Sequence, residues 1–100
     1  NTSSDPRLKE RVQDLPASGV YIDSLRPVEW RWKEDGTYGA GFLATEFAVV
    51  NPRAVTGEED AVDASGKPVY MQLDASTPET IAHIVAELQS LRRRVQALEG

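Results

Sequence analysis

Cysteine is absent from this 100-residue chain, and histidine and methionine each occur once. Without cysteine the protein can form neither disulfides nor thiolate metal sites. The single histidine, His83, is too few for a zinc site unless carboxylates complete the ligand set. The composition therefore argues against disulfide-stabilised scaffolds and zinc domains, and we expect no metal and no cofactor.

Long hydrophobic runs and an excess of positive charge are lacking as well. No apolar stretch approaches the roughly 20 residues that a membrane-spanning helix needs, and no signal peptide is recognisable. The net charge is −5, whereas modules that bind nucleic-acid duplexes usually carry a basic patch. We therefore expect a soluble protein whose partners include neither a membrane nor a nucleic acid.

The chain is short, and its apolar residues amount to 40% of the total. This suits one small domain with a thin core, which association with further copies would stabilise. The chain begins at Asn1 rather than at methionine, so we expect it to be part of a longer polypeptide.

Residues 5–15 have the pattern of an amphipathic helix. Asp5 can cap it, and Pro6 then occupies the first helical position, where a missing N–H costs nothing. Pro16 would end the helix. Its apolar stripe is formed by Leu8, Val12 and Leu15.

The middle of the chain predicts a hairpin. Residues 27–33 alternate between apolar and charged side chains, which is typical of a half-buried strand. Asp35 and Gly36 favour a type I′ turn, because that turn needs positive φ at both central residues. A second strand is expected over 37–41, and its glycines suggest close approach of another group.

Three further segments follow. Residues 41–52 fit either a short helix or a strand, and we favour a helix that ends at Asn51 and Pro52. Residues 53–68 are polar and acidic, which indicates a loop or a loose hairpin. Residues 69–73 alternate and predict a short strand.

The C-terminal segment carries the clearest pattern. Thr77 and Pro78 predict a helix start, and the helix is expected over 77–99. Its apolar residues recur at spacings of three and four, which defines a heptad seam of less than three repeats. The a positions are Ile81, Leu88 and Val95, and the d positions are Ile84, Leu91 and Leu98.

The residues that flank the seam also have the pattern of a coiled coil. Glu87 at g precedes Arg92 at e, and Arg94 at g precedes Glu99 at e, so each pair has opposite signs. Seam and flanks together point to self-association, in two or three strands. The alternative is an amphipathic helix that covers its own domain.

Taken together, the patterns predict an α+β fold. It consists of a small N-terminal helix, short antiparallel strands in a hairpin, a short middle helix and a long C-terminal helix that forms a coiled coil.

Three sequence blocks in this order resemble a known family. Residues 4–9 read Ser-Asp-Pro-Arg-Leu-Lys, residues 25–28 read Leu-Arg-Pro-Val ahead of two tryptophans, and residues 41–47 read Gly-Phe-Leu-Ala-Thr-Glu-Phe. The chain resembles the intramolecular chaperone (auto-processing) domain at the C-terminus of phage tail spikes, tail fibres and endosialidases, the peptidase S74 family. It departs from the family pattern at Thr45, where the family usually has Gln.

The resemblance implies a specific activity. The domain, 4–100, would form a homotrimer through its coiled coil, assist folding of the fibre segment that precedes it, and then cut itself off between Ser3 and Ser4. Ser4 would be the nucleophile and Lys9 its general base, with residues 1–3 as the end of the upstream fibre. Assembly would take place in the host cytoplasm, and the domain would remain on the virion tail if it is not released. The alternative is an uncleaved trimerisation or receptor-binding tip.

The implied chemistry sets conditions on the residues around the dyad. A serine hydroxyl needs a base, and a lysine base must be neutral, so burial or nearby positive charge such as Arg7 or Arg11 must lower its pKa. On an ideal helix, residues five apart lie about 140° apart, so Ser4 and Lys9 require a bent approach or a subunit boundary. From the residues alone, a helix cap at Ser4 and Asp5 with a solvated Lys9 is the better interpretation, and it is the resemblance that favours the dyad. Glu46 is expected either to hold the Ser4 region or to face solvent.

Overall fold

The computed structural model describes residues 4–74 and 77–100. Short helices, two antiparallel strand pairs and one long C-terminal helix give the predicted α+β fold. In chain order the elements are a first 3-10 helix (Pro6–Leu8), α1 (Gly19–Asp23), β1 (Val28–Arg31), β2 (Tyr38–Gly41), α2 (Ala44–Val50), a second 3-10 helix (Pro52–Ala54), β3 (Val55–Thr56), β4 (Gln72–Leu73) and α3 (Pro78–Glu99).

The helix predicted over 5–15 is wrong in its extent. Helical structure stops after Leu8, Lys9 is extended, and Arg11 has a φ of 56°. Leu8 and Val12 are 68% and 78% exposed, so two of the three residues of the expected apolar stripe are largely uncovered, while Leu15 is 43% exposed. An isolated helix of this length is marginal in water without such packing.

The first hairpin is confirmed, but its turn differs from the prediction. β1 pairs antiparallel with β2 from Val28 opposite Gly41 to Arg31 opposite Tyr38. The N–H of Trp32 donates to the carbonyl of Thr37 at 2.9 Å, so the connection is four residues long rather than two. The type I′ prediction fails because the Asp35 carboxylate accepts bonds from both N–H and hydroxyl of Thr37, which holds a different turn.

Tight packing explains a glycine in the second strand. Gly39 lies opposite Trp30, and a Cβ at position 39 would come within 2.7 Å of Cε2 of the indole. The close approach expected from the glycines is therefore made by Trp30. α2 follows and ends at Asn51 as predicted, and its Phe47 is 2% exposed and stacks edge-on against Phe42.

The strand predicted over 69–73 is shorter than expected. β3 pairs antiparallel with β4, with Val55 opposite Leu73, so only the last part of the strand expected over 69–73 forms. Between them, Val62 bridges Pro68, which agrees with a loose hairpin. Asp63 holds its tip by accepting bonds from the backbone N–H groups of Ser65 and Lys67.

The N-terminal end of α3 is fixed to the body by a buried polar cluster. Asn51 and Thr80 are 2% and 1% exposed. The Tyr21 hydroxyl bonds Oγ1 of Thr80 at 3.2 Å and accepts from Nδ2 of Asn51 at 3.2 Å. The Glu79 carboxylate accepts from Asn51 and pairs with Arg53. These contacts join α1, the end of α2 and α3.

His83 also takes part in this junction, although the heptad pattern places it on an exposed face. Its ring stacks on Tyr21 with centroids 4.1 Å apart, and its Nδ1 is buried. The ring is half-buried, because α1 packs against that side of α3. Among the described residues, no helix is both long and apolar enough to cross a membrane.

Candidate active site

Ser4 and Lys9 lie in direct contact. Nζ of Lys9 donates to Oγ of Ser4 at 2.9 Å, and both side chains are exposed in the single subunit. The contact forms because the chain makes one 3-10 turn and then extends at Lys9, with φ −119° and ψ 143°. A longer α-helix would have placed the two residues on different faces. Ser3, the other half of the predicted cleavage site, and the rest of the predicted upstream segment lie outside the described residues.

The turn that joins the two residues is held by local bonds. Oδ1 of Asp5 accepts from the backbone N–H of Arg7 at 2.9 Å, which caps the turn. The backbone N–H of Leu8 donates to the carbonyl of Asp5 at 3.0 Å, and that of Lys9 donates to the carbonyl of Pro6 at 3.1 Å. The last bond fixes the backbone from which the Lys9 side chain returns to Ser4.

Asp5 and Arg7 also form an ion pair across this turn. Nε of Arg7 lies 3.1 Å from Oδ1 of Asp5, and Nη2 lies 2.8 Å from Oδ2. The side-chain bonds from Arg7, followed by its backbone N–H, hold the pKa of Asp5 below its ordinary value. From the sequence, Arg7 is expected to be an unpaired positive charge close to Lys9. In the structure, the Asp5 carboxylate compensates that charge.

Glu46 has a different partner. Its carboxylate accepts two bonds from Arg26, from Nε at 2.8 Å and from Nη2 at 2.7 Å, and these bonds lower the pKa of Glu46. The structure therefore brings Ser4 to Lys9 and Asp5 to Arg7, and it ties Glu46 to Arg26. Sequence reasoning missed Arg26, although it stands in the second family block and Glu46 in the third. The opposite charges of these two residues, one in each block, could have indicated that they pair.

The predicted seam of α3 is uncovered in the subunit. All six of its side chains are between 44% and 89% exposed, so α3 does not use this stripe to cover its own domain. The six are Ile81, Ile84, Leu88, Leu91, Val95 and Leu98. A contiguous apolar ridge of this kind is typical of a surface that binds another protein chain.

The charged flanks of the seam bond within the helix in the single subunit. Nη2 of Arg94 lies 3.1 Å from Oε1 of Glu87, one heptad earlier. Both residues occupy g positions. The pairing of g with e positions of another chain is not tested by this contact and stays a prediction.

Comparison with known protein families identifies the family of the chain. The sequence model of the Peptidase_S74 family, described as the chaperone of endosialidase, matches residues 4–56. This is just over half of the chain, and it begins at Ser4 and includes Lys9, Arg26 and Glu46. No match was found among curated proteins. The chain therefore belongs to the Peptidase S74 family, the chaperone of endosialidase, and its role is that of an intramolecular chaperone.

Proposed function

We propose that this domain releases itself from the polypeptide before it by autoproteolysis between Ser3 and Ser4. The observation that carries the proposal is the 2.9 Å contact between Nζ of Lys9 and Oγ of Ser4. A serine hydroxyl next to a lysine amine is a recognised arrangement of nucleophile and base.

The chemistry is a transfer of the Ser3 acyl group followed by hydrolysis. Lys9 takes the hydroxyl proton of Ser4 while Oγ bonds to the carbonyl carbon of Ser3. The C–N bond to Ser4 then breaks, and the amide nitrogen takes the proton back from Lys9, which leaves an ester between Ser3 and Oγ. Water hydrolyses that ester to a carboxylate at Ser3 and restores the Ser4 hydroxyl, and the amine freed in the previous step becomes the new N-terminus.

Assembly would supply what the single subunit lacks. Lys9 is exposed, and a lysine that acts as a base is favoured by burial, which disfavours the ammonium form. We propose that three copies associate through the seam of α3 and that this association encloses the dyad. Because the seam spans less than three heptads, contacts made by the body must share in the association. Cleavage would then follow correct assembly.

The client is the segment that precedes Ser4 in the same polypeptide. We propose that this is a β-rich phage tail fibre or tail spike that folds in the host cytoplasm. The family membership supports a chaperone for a client of this kind, and the exposed ridge of α3 supports trimerisation. Removal of the chaperone would leave the fibre kinetically trapped, because the element that lowers the barrier to assembly is gone.

Mass spectrometry of the polypeptide with its natural upstream segment tests the cleavage. The wild type should yield a fragment that begins at Ser4, whereas Ser4→Ala and Lys9→Ala should remain intact or cleave about 10²–10⁴-fold more slowly. Lys9→Arg is the matched control, since it keeps the charge and the hydrogen bond but cannot accept a proton. It should be as inactive as Lys9→Ala.

Two other outcomes would redirect the proposal. An intact trimer from all four proteins would contradict autoproteolysis and favour an uncleaved trimerisation or receptor-binding tip that stays on the fibre. A monomer at micromolar concentration would contradict trimerisation as well.

A further inference from the structure

The cap of the first 3-10 helix creates an electrostatic conflict. The turn needs an acceptor at position 5, and the Asp5 carboxylate provides it by bonding the N–H of Arg7. The same turn brings Lys9 to Ser4. A carboxylate close to a lysine stabilises the ammonium form, which cannot act as a base.

Arg7 resolves this conflict geometrically. Its guanidinium bonds both oxygens of the Asp5 carboxylate. Two bonds in a planar fork give a well-defined pair even at an exposed position. The carboxylate can therefore act as a cap while its charge is compensated within the same turn.

We propose that Arg7 and Asp5 are positioning residues of the dyad, in which Asp5 shapes the turn and Arg7 cancels the field of the Asp5 carboxylate at the lysine amine. The inference rests on the proposed autoproteolysis and adds to it a role for charge. It separates two functions of Asp5, since the cap needs only an oxygen and the ion pair needs a negative charge.

Two substitutions change the charge in opposite directions and leave the cap in place. Asp5→Asn keeps Oδ1 as an acceptor and frees the guanidinium of Arg7, because Asn is as good a cap as Asp. Arg7→Gln keeps the backbone N–H that donates to Asp5, and it leaves the negative charge of the Asp5 carboxylate uncompensated. The other charged groups next to Lys9 on this segment, Glu10 and Arg11, are unchanged in both variants.

The pH dependence of cleavage is the test. Chains with their upstream segment are made in a short cell-free pulse and diluted into buffers from pH 6 to pH 10, and intact and cleaved forms are quantified over time. The midpoint should move up by about 0.3–0.5 pH unit in Arg7→Gln and down by a similar amount in Asp5→Asn at low salt. The double variant should return to the wild-type midpoint.

A matched control tests whether the effect is local. Arg26→Gln breaks another exposed two-bond pair, the one with Glu46, and should leave the midpoint unchanged. Equal shifts in Arg26→Gln and Arg7→Gln, or shifts of the same sign in both variants of the turn, would overturn the proposal. Midpoints that do not move at all would overturn it too.

A second measurement does not depend on cleavage. In the Ser4→Ala protein, the Lys9 side-chain carbon signal is titrated by NMR with each turn variant added. Opposite shifts of the titration midpoint support the role of the ion pair even if the wild type is never cleaved. Cleavage in the wild type together with unshifted titrations would refute the ion pair alone and leave the dyad in place.

Discussion

The hydroxyl of Tyr21 lies 3.2 Å from Oγ1 of Thr80, and the two residues are 59 positions apart in the chain. This bond joins α1 to the first turn of α3 in a region where Thr80 is 1% exposed. The long helix that carries the seam is therefore oriented by a polar contact, while the apolar core of the subunit is small.

Loss of the Thr80 hydroxyl should weaken this junction. Thr80→Val keeps the shape of the buried side chain but removes one partner of the partly buried Tyr21 hydroxyl, which still accepts from Asn51. We expect this to lower the free energy of unfolding by about 0.5–1.5 kcal/mol. Urea unfolding at fixed protein concentration measures it. Thr45→Val, at an exposed position of α2, should change stability by less than about 0.5 kcal/mol. Equal effects at both positions would contradict the role of the cluster.

An added methyl group at Gly39 should disturb the hairpin. Gly39→Ala places a Cβ against the indole of Trp30, and we expect a loss of about 1–3 kcal/mol because the ring must move. Chemical unfolding and the tryptophan emission maximum report both effects. Gly19→Ala is the matched control, because the nearest atom to its Cβ would be 3.8 Å away. A stable Gly39→Ala with unchanged emission would show that Trp30 does not lie there.

A charge in the middle of the seam should prevent association. Leu88→Lys places an ammonium at an a position, where the proposed trimer buries an apolar side chain, and we expect a monomer in sedimentation at micromolar concentration. Gln89→Lys adds the same charge at the next, exposed position and should leave the trimer intact. If Leu88→Lys sediments like the wild type, the seam is not the interface.

Acid should loosen the junction at Glu79. The side-chain hydrogen bonds from Arg53 hold the pKa of Glu79 below its ordinary value of 4.5, and a weaker effect in the same direction comes from the Asn51 hydrogen bond. A carboxyl whose pKa is lower in the folded state stabilises the fold above its unfolded pKa, and this contribution is lost as the pH falls through the folded pKa. We therefore expect stability to fall below about pH 4.5 and this dependence to flatten in Glu79→Gln, as measured by urea unfolding at several pH values. Glu99→Gln, at the other end of α3, should keep the wild-type slope.

Several features could be predicted because their cause is local. Pro78 at the first helical position and a heptad pattern were enough to place α3, since a long helix depends on contacts three and four residues apart. Asn51 followed by Pro52 ended α2 for a similar reason. The order of motif blocks was also enough to indicate the family, which the comparison with known proteins bears out.

Other features depended on the tertiary structure. The amphipathic pattern of 5–15 predicts a helix, but no surface of the subunit covers Leu8 and Val12, so the chain turns once and extends, and this is what brings Lys9 to Ser4. The pairing of Glu46 with Arg26, and the stacking of His83 on Tyr21, join residues far apart in the chain. Sequence periodicity determines which side of a helix is apolar, whereas packing decides whether anything lies against that side. Here most of the apolar side is left uncovered, so the helix stops after Leu8 and Lys9 reaches Ser4.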